Sequence, residues 1–380
     1  MIRIGASTCI LLLLMFVVFS NGCSIPDPES GTGVVCKEPP QLQPVFRGNI
    51  QRTGQFPSPA VDYTEVGWVF EAAGPIYSSP VVHEGIVYFG SDDGFVYAVD
   101  FALGEKIWKF NVGSPVDSSP AVSKDILVVG SNDGNLYALT AATGELLWAF
   151  PTGDWVRSSP VVYGETVLFG SDDMKLYALN LETGEEIWNY EVFSDIVSSP
   201  AVYEGLVYFG GVNGILYAMD ITSGEVVWRF PTESPIYATP VVACGRVYFG
   251  NEKGGFYALD AVEGEPVWFY WVGEPVLSSA AVTDELVFFA SSDGVLHAVD
   301  VERGRREWSY SVNETISSSP AVAGGQVYFG SDEGVLYALD AATGELRWKF
   351  ESGGAITSSP FVYEGKLVFG NLGYRVYLLR

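Results

Sequence analysis

Residues 78–110 read Ser78-Ser79-Pro80-Val81-Val82-His83-Glu84-Gly85-Ile86-Val87-Tyr88-Phe89-Gly90-Ser91-Asp92-Asp93-Gly94-Phe95-Val96-Tyr97-Ala98-Val99-Asp100-Phe101-Ala102-Leu103-Gly104-Glu105-Lys106-Ile107-Trp108-Lys109-Phe110. Four strand signals follow one another here. Ser78 to Val82 is a short first strand, and Gly85 marks a turn. Ile86 to Gly90 is a second strand. Ser91-Asp92-Asp93-Gly94 suits a hairpin, because Gly and Asp tolerate positive φ. Phe95 to Val99 is a third strand. Asp100 opens a turn that closes at Gly104. Lys106 to Phe110 is a fourth strand, with Trp108 and Phe110 on one face by period-2 alternation.

The pattern recurs every 40 residues. Trp68, Trp108, Trp148, Trp188, Trp228, Trp268, Trp308 and Trp348 keep that spacing without a slip. So do Pro80, Pro120, Pro160, Pro200, Pro240, Pro320 and Pro360, with Ala280 as the one substitution. Gly90, Gly130, Gly170, Gly210, Gly250, Gly330 and Gly370 follow, with Ala290 breaking the series. Four short antiparallel strands per 40 residues make a propeller blade. The first strand occurs eight times, beginning at residues 78, 118, 158, 198, 238, 278, 318 and 358. The last unit ends at Arg380 after its third strand, while Glu65 to Phe70 is a fourth strand with no blade before it. Joining the two closes the ring and hides both terminal edges. The expectation is an all-β fold: a single eight-bladed β-propeller over residues 45–380.

Composition agrees. The chain has 380 residues, 14% of them aromatic and 48% hydrophobic, which fits an all-β globular chain better than a disordered acidic one. Its formal charge of −26 argues against a nucleic-acid partner, which needs a basic footprint. Two His and four scattered Cys leave little material for a zinc site.

The N-terminus reads as an address. Residues 1–22 form an export signal: Arg3 supplies the positive region, and Cys9 to Phe19 is apolar but too short to span a bilayer. Gly22 directly before Cys23 resembles a bacterial lipobox, with Cys23 as the lipidated residue, although Ser20 and Asn21 depart from its usual apolar and small residues. A Pro-rich tether covers residues 23–44. The expected protein is exported, anchored in the cell envelope by its lipid, and otherwise clear of the membrane. Cys36 and Cys244 then remain to pair or stay apart, and a flexible tether does not favour pairing.

The unit Ala338-Leu339-Asp340-Ala341-Ala342-Thr343-Gly344-Glu345-Leu346-Arg347-Trp348 resembles the repeat of the pyrroloquinoline-quinone (PQQ) type β-propellers. Near-copies end at Trp148, Trp188 and Trp228. WD40 is a poorer match, since the units lack its Gly-His and Trp-Asp dipeptides. The resemblance covers residues 65–380. Phe46-Arg47-Gly48-Asn49 with Arg52-Thr53-Gly54 also resembles the lead-in segment of exported members. The resemblance implies that the Trp of each outer strand docks between blades and that one face holds a central funnel. It implies no single function. The family includes quinone-dependent dehydrogenases and a lipoprotein of the outer-membrane barrel-assembly machinery.

Eight copies within one chain separate blade chemistry from the rest. Positions alike in every blade serve the blade: the Trp series as core, Gly104 and its equivalents for the turn, Asp100, Asp220, Asp260, Asp300 and Asp340 as caps of that turn. Variable positions are where binding could reside. The residue before each Ser-Ser-Pro is Tyr77, Asp117, Arg157, Val197, Tyr237, Leu277, Ser317 or Thr357, and its predecessor is always Ile or Val. One side chain of each pair is expected to pack inward and the other to face the axis. Tyr77 and Tyr237 are four blades apart, facing each other. Asp117 and Arg157, on adjacent blades, are candidates to pair. Trp155 and Trp271 stand outside the Trp register and are candidate binding residues. The hairpin acids Asp92, Asp93, Asp133, Asp172, Asp173, Asp293, Asp332 and Glu333 share that face, either as turn chemistry or as an attraction for a cation or basic partner.

The leading expectation is a non-catalytic interaction propeller that binds an envelope protein, including the barrel-assembly machinery among possible partners. A quinone-dependent dehydrogenase is the alternative. The resemblance would then require calcium held by Glu, Asn and Asp, a catalytic Asp, and often a disulfide of adjacent Cys. No two Cys adjoin here and no insertion departs from the repeat. No cofactor and no metal are therefore expected. A carbohydrate or small-ligand surface using Tyr77, Tyr237 and Trp155 is the third reading.

Overall fold

A computed structural model describes residues 43–380, which form one compact unit. The expected export signal, the expected lipidation of Cys23, the expected tether up to residue 42 and Cys36 lie outside the described residues. Eight four-stranded antiparallel sheets make the ring. Blade 1 comprises Val81–His83, Ile86–Gly90, Phe95–Asp100 and Lys106–Asn111, and blades 2 to 7 repeat it. Blade 8 takes Phe361–Tyr363, Lys366–Gly370 and Arg375–Leu379, then receives Val66–Glu71 from the other end of the chain, with Trp68 opposite Leu378.

Connectivity sorts the two faces. The turns after the first and third strands lie on one side, here the turn face. The hairpins after the second strand and the loops into the next blade lie on the other, the hairpin face.

The two serines of Ser-Ser-Pro have different tasks. The first staples its own blade: the Ser78 hydroxyl accepts from the Gly90 amide at 3.0 Å. The second reaches the next blade: the Ser79 amide donates to the Ser119 hydroxyl at 2.9 Å. Equivalent bonds run from Ser119 to Ser159, Ser159 to Ser199, Ser199 to Thr239, Thr239 to Ser279, Ser279 to Ser319, and Ser359 back to Ser79. All of these groups are buried, where an unmade bond is costly.

Each registered Trp docks on the following blade, as expected. Trp68 Nε1 donates to the Phe101 carbonyl at 2.9 Å, and Trp108 to that of Ala141 at 2.8 Å. The glycine of the receiving turn does more than turn. A Cβ at Gly144 would lie 2.6 Å from Trp108 Cδ2, and φ there is +74°. Blade 8 follows Trp348, but its third and fourth strands come from opposite ends of the chain and no turn joins them, so the lead-in supplies the acceptor: Trp348 Nε1 donates to Val61 O at 2.7 Å, and Tyr63 packs on its ring. The turn aspartates cap as expected, with Asp100 Oδ1 accepting from the amides of Ala102 and Leu103.

The lead-in is itself structural, which its motif did not reveal. Residues 44–56 run along the inner strands at the turn-face end of the central channel. The amides of Val122, Val202, Val242, Val282 and Val322 donate to the carbonyls of Pro44, Ile50, Gln51, Thr53 and Gly54. Arg52 is fully buried, and its guanidinium donates to the carbonyls of Phe46, Ser159, Pro160 and Pro200. Arg47, also buried, donates to the carbonyls of Arg52 and Ala280. Burial pushes both guanidiniums down to about 9, so they stay charged at neutral pH. The fork geometry of Arg suits this bonding to several carbonyls at once. Among the described residues, no helix is long and apolar enough to cross a membrane.

Candidate functional site

The blades differ most at the mouth of the channel on the hairpin face. There the loop entering each blade is locked by two contacts. Val116 N bonds Ser91 O of the preceding hairpin, and Asn132 N bonds Pro115 O of the blade's own loop. The apolar predecessors, Ile76 through Ile356, are buried as expected. Val116 fills the space that Gly90 leaves open, since a Cβ at Gly90 would overlap Val116 Cγ1. The variable residue is thereby turned to the mouth, beside the first hairpin residue of its own blade.

These pairs are polar on blades 7, 1, 2, 3 and 5, the last with Tyr237 and Glu252. The Ser317 hydroxyl donates to Asp332 Oδ2 at 3.1 Å. Tyr77, 44% exposed, stands in the field of Asp92 and Asp117. Asn132 Nδ2 donates to Asp117 Oδ2 at 2.8 Å. Arg157 meets Asp172, Nη2 to Oδ2 at 2.6 Å. On blade 4 the same positions are Val197 and Val212, and on blade 6 Leu277 stands 45% exposed.

The expected pair of Asp117 with Arg157 does not form. Arg157 reaches the hairpin acid of its own blade, and the locked loop brings Asp172 to it first. Asp117 instead accepts from Asn132 of its own blade and stands in the field of Asp92 of the neighbouring one. Burial, then the Asp117 carboxyl, raises Asp92 to about 7. The nearby Asp117 carboxyl disfavours the charged form of Asp92 in the same direction as its burial. Asp172 is raised as well: its burial outweighs the opposing pull of Arg157.

Four equivalent oxygens of this ring, Oδ1 of Asp92, Asn132, Asp172 and Asp332, are buried without a hydrogen-bond partner among the described residues. Such acceptors are normally paired. The second hairpin acids behave differently. Asp93 accepts from Tyr97 Oη at 2.6 Å and from the amides of Phe95 and Ala73; Asp133 and Asp173 also accept from Tyr. Those acids are turn chemistry. The hairpin acids thus divide by position, a distinction their sequence alone did not draw.

Trp155 is 48% exposed beside the mouth, with the Arg157 guanidinium 5.6 Å from its ring. Tyr237 is half-buried on blade 5, opposite blade 1 in the ring. Trp271 is not part of this group. It ends the outermost strand of blade 5, 61% exposed, next to exposed Phe269.

The comparisons agree with the architecture. A family model described as Beta-alanine-activating enzyme, beta-propeller, matches residues 98–324, and one described as Outer membrane protein assembly factor BamB matches residues 311–379. No curated protein matches the chain. Among solved structures, BamB from Moraxella catarrhalis superposes with TM-score 0.75 at 18% identity, covering 83% of this chain and 99% of that one. A europium-containing methanol dehydrogenase gives 0.78 at 14%, covering 90% and 98%. Quinohemoprotein alcohol dehydrogenase from Comamonas testosteroni gives 0.79 at 16%, covering 89% and 80%. At these identities the likeness is one of fold. With the first of the two models spanning more than half of its length, the chain belongs to the family described as the β-propeller of β-alanine-activating enzyme, a propeller of the PQQ type.

Proposed function

We propose that this is a non-catalytic, exported scaffold that binds a protein of the cell envelope through the hairpin face around the channel mouth. One observation carries the reading: the blade-to-blade differences converge on a half-polar ring whose buried acceptors lack donors among the described residues. Below it the channel is filled by the lead-in and its two arginines, which suits a shallow docking surface. Polar side chains of a partner, basic ones above all, would supply the missing donors. Anchoring through a lipid on Cys23, with no other membrane contact, completes the assignment. The match to an outer membrane protein assembly factor makes outer-membrane assembly the first partner class to test. No nucleic acid is part of this reading.

The structural likeness to two dehydrogenases keeps an enzyme as the second reading. The mouth residues do not fit the calcium set that the resemblance implies. Asp117 is engaged by Asn132, and burial together with the neighbouring Asp117 carboxyl raises Asp92. Among the described residues, no group of three or more His, Cys, Asp or Glu is placed to hold a metal ion. We therefore assign neither a quinone nor calcium.

The test is affinity capture from the native envelope with the wild-type chain, Cys23→Ser, and Trp155→Ala with Arg157→Ala. The reading expects an outer-membrane assembly complex that is lost with the double variant. A complex indifferent to that variant would remove the mouth as its site. Recovery of no assembly protein would remove the partner class. Titration with quinone and calcium, followed by dye-linked alcohol oxidation, would overturn the scaffold reading.

A further inference from the structure

We infer that Tyr257, Phe269 and Trp271 form an aromatic shelf on the outer edge of blade 5 that takes a quaternary ammonium group. The shelf is separate from the channel mouth, and the inference goes beyond the scaffold reading.

The third and fourth strands of blade 5 are Gly255–Asp260 and Pro266–Trp271. Gly255 lies opposite Trp271 and Tyr257 opposite Phe269, so these four residues share one face of the sheet. The register sets the rings in a row, Tyr257 to Phe269 at 4.9 Å and Phe269 to Trp271 at 6.2 Å between centroids. Phe269 and Trp271 are exposed. A Cβ at Gly255 would lie 2.8 Å from Tyr257 Cε2 and 3.0 Å from Phe269 Cε2. The two rings therefore close over a place where every other blade carries a side chain.

The blade itself does not call for these rings. At the places of Phe269 and Trp271 no other blade has an aromatic residue; they read Lys109 and Asn111 on blade 1, Asn189 and Glu191 on blade 3, Lys349 and Glu351 on blade 7. Blade 1 shows what the same face can hold. Lys109, in the place of Phe269, sets its ammonium 3.7 Å from the centroid of Phe95 and 5.8 Å from that of Tyr97. The negative faces of the rings attract the cation. On blade 5 a third ring replaces that lysine. The hairpin's own cation, Lys253, turns its ammonium to the Glu233 carbonyl at 3.3 Å. The ring faces are kept, and the cation that blade 1 supplies for itself is not.

Charge favours a cationic ligand over a neutral one. Glu233 acts on the Tyr257 hydroxyl, and Glu252 and Glu274 lie in the hairpin and the loop beside it, against Lys253. The whole chain carries a formal charge of −26. Hydration selects the kind of cation. A primary ammonium is strongly hydrated and brings N–H donors that ring faces satisfy poorly. The methyl groups of a quaternary ammonium need no acceptor and lie directly on the rings.

The test is titration of the full-length protein with choline, read by saturation transfer to its N-methyl protons, beside the uncharged tert-butyl isostere of choline. Choline should bind the wild type, and the isostere about fivefold more weakly. Trp271→Ala should weaken choline binding by about fivefold. So should Phe269→Lys, which restores the blade 1 arrangement and places a residue that blades 1 and 7 already accept there. Melting temperatures equal to the wild type certify both variants as folded. No transfer to choline, equal binding of the isostere, or undiminished binding by both variants overturns the inference. Sedimentation with phosphatidylcholine vesicles that Phe269→Lys abolishes would place the ammonium on a lipid headgroup; choline binding without sedimentation places it on a free solute. Neither measurement uses the channel mouth or an envelope partner, so this inference and the scaffold reading fail separately.

Discussion

The Ser359 amide donates to the Ser79 hydroxyl at 2.8 Å, joining residues 280 positions apart in the chain. It is the same bond that joins Ser119 to Ser159, 40 positions apart. The ring makes its closing junction with the chemistry of its internal ones. Removing either acceptor leaves one buried amide without a partner. We expect Ser79→Ala and Ser159→Ala each to lose about 1–2 kcal/mol in denaturant unfolding. Wild-type midpoints for both variants would show that the serine ring contributes nothing.

The turn glycines allow crowding to be separated from backbone strain. Gly85 has φ +76° with nothing within 4 Å of a new Cβ, whereas at Gly144 the Cβ would meet Trp108. Gly85→Ala should cost about 1 kcal/mol for the left-handed backbone alone. Gly144→Ala should cost about 3 kcal/mol, because the indole must shift as well. Equal losses would mean that the Trp contact is not tight.

Arg52 holds four main-chain carbonyls at the closed end of the channel. Arg52→Met leaves them without donors, at a cost on the order of 3 kcal/mol. Arg52→Lys should not rescue it, since an ammonium lacks the planar fork. The readout is unfolding together with protease cleavage within residues 43–60. A Met variant as stable and as resistant as the wild type would contradict the plug.

Asp92, raised to about 7 beside Asp117, holds a proton in the folded state that it loses near 4 when unfolded. The folded protein binds more protons between those values, so this group's contribution to stability falls as pH rises from 4 to 7. Melting temperature against pH should decline less over this window in Asp92→Asn than in the wild type. Parallel curves would separate the carboxyls.

His297 works in the opposite direction. It replaces the Tyr of the other blades and stacks on Phe289 at 5.1 Å. Burial lowers it to about 4 from 6.5. The unfolded chain binds the extra proton between those values, so stability is lost as pH falls from 6.5 to 4. His297→Phe should flatten this acid-side loss in melting scans. An unchanged slope would show that the imidazole is protonated in the folded state.

The fold was legible because its determinants repeat. Trp, Ser-Ser-Pro and Gly recur at fixed spacing, so each blade checked the others and the orphan strand near Trp68 found its place. The mouth was legible only as positions. Tyr77, Asp117, Trp155 and Arg157 were located on the correct face, but their partners were not. Whether Arg157 meets Asp117 or Asp172 depends on how the loop is pinned over the hairpin. Trp155 and Trp271 share the absence of register and nothing else, because one sits on an inner loop and the other on the outermost strand.

By itself the sequence determined the blade number, the closure and the turn chemistry, because periodic local preferences act the same way in each unit. Only the tertiary structure decided which hairpin acids are spent on their own turns and which face the channel. It alone turned Arg47 and Arg52 from a motif into a plug. Both outcomes depend on desolvation and on contacts between distant residues, and those exist only once eight blades surround a common axis.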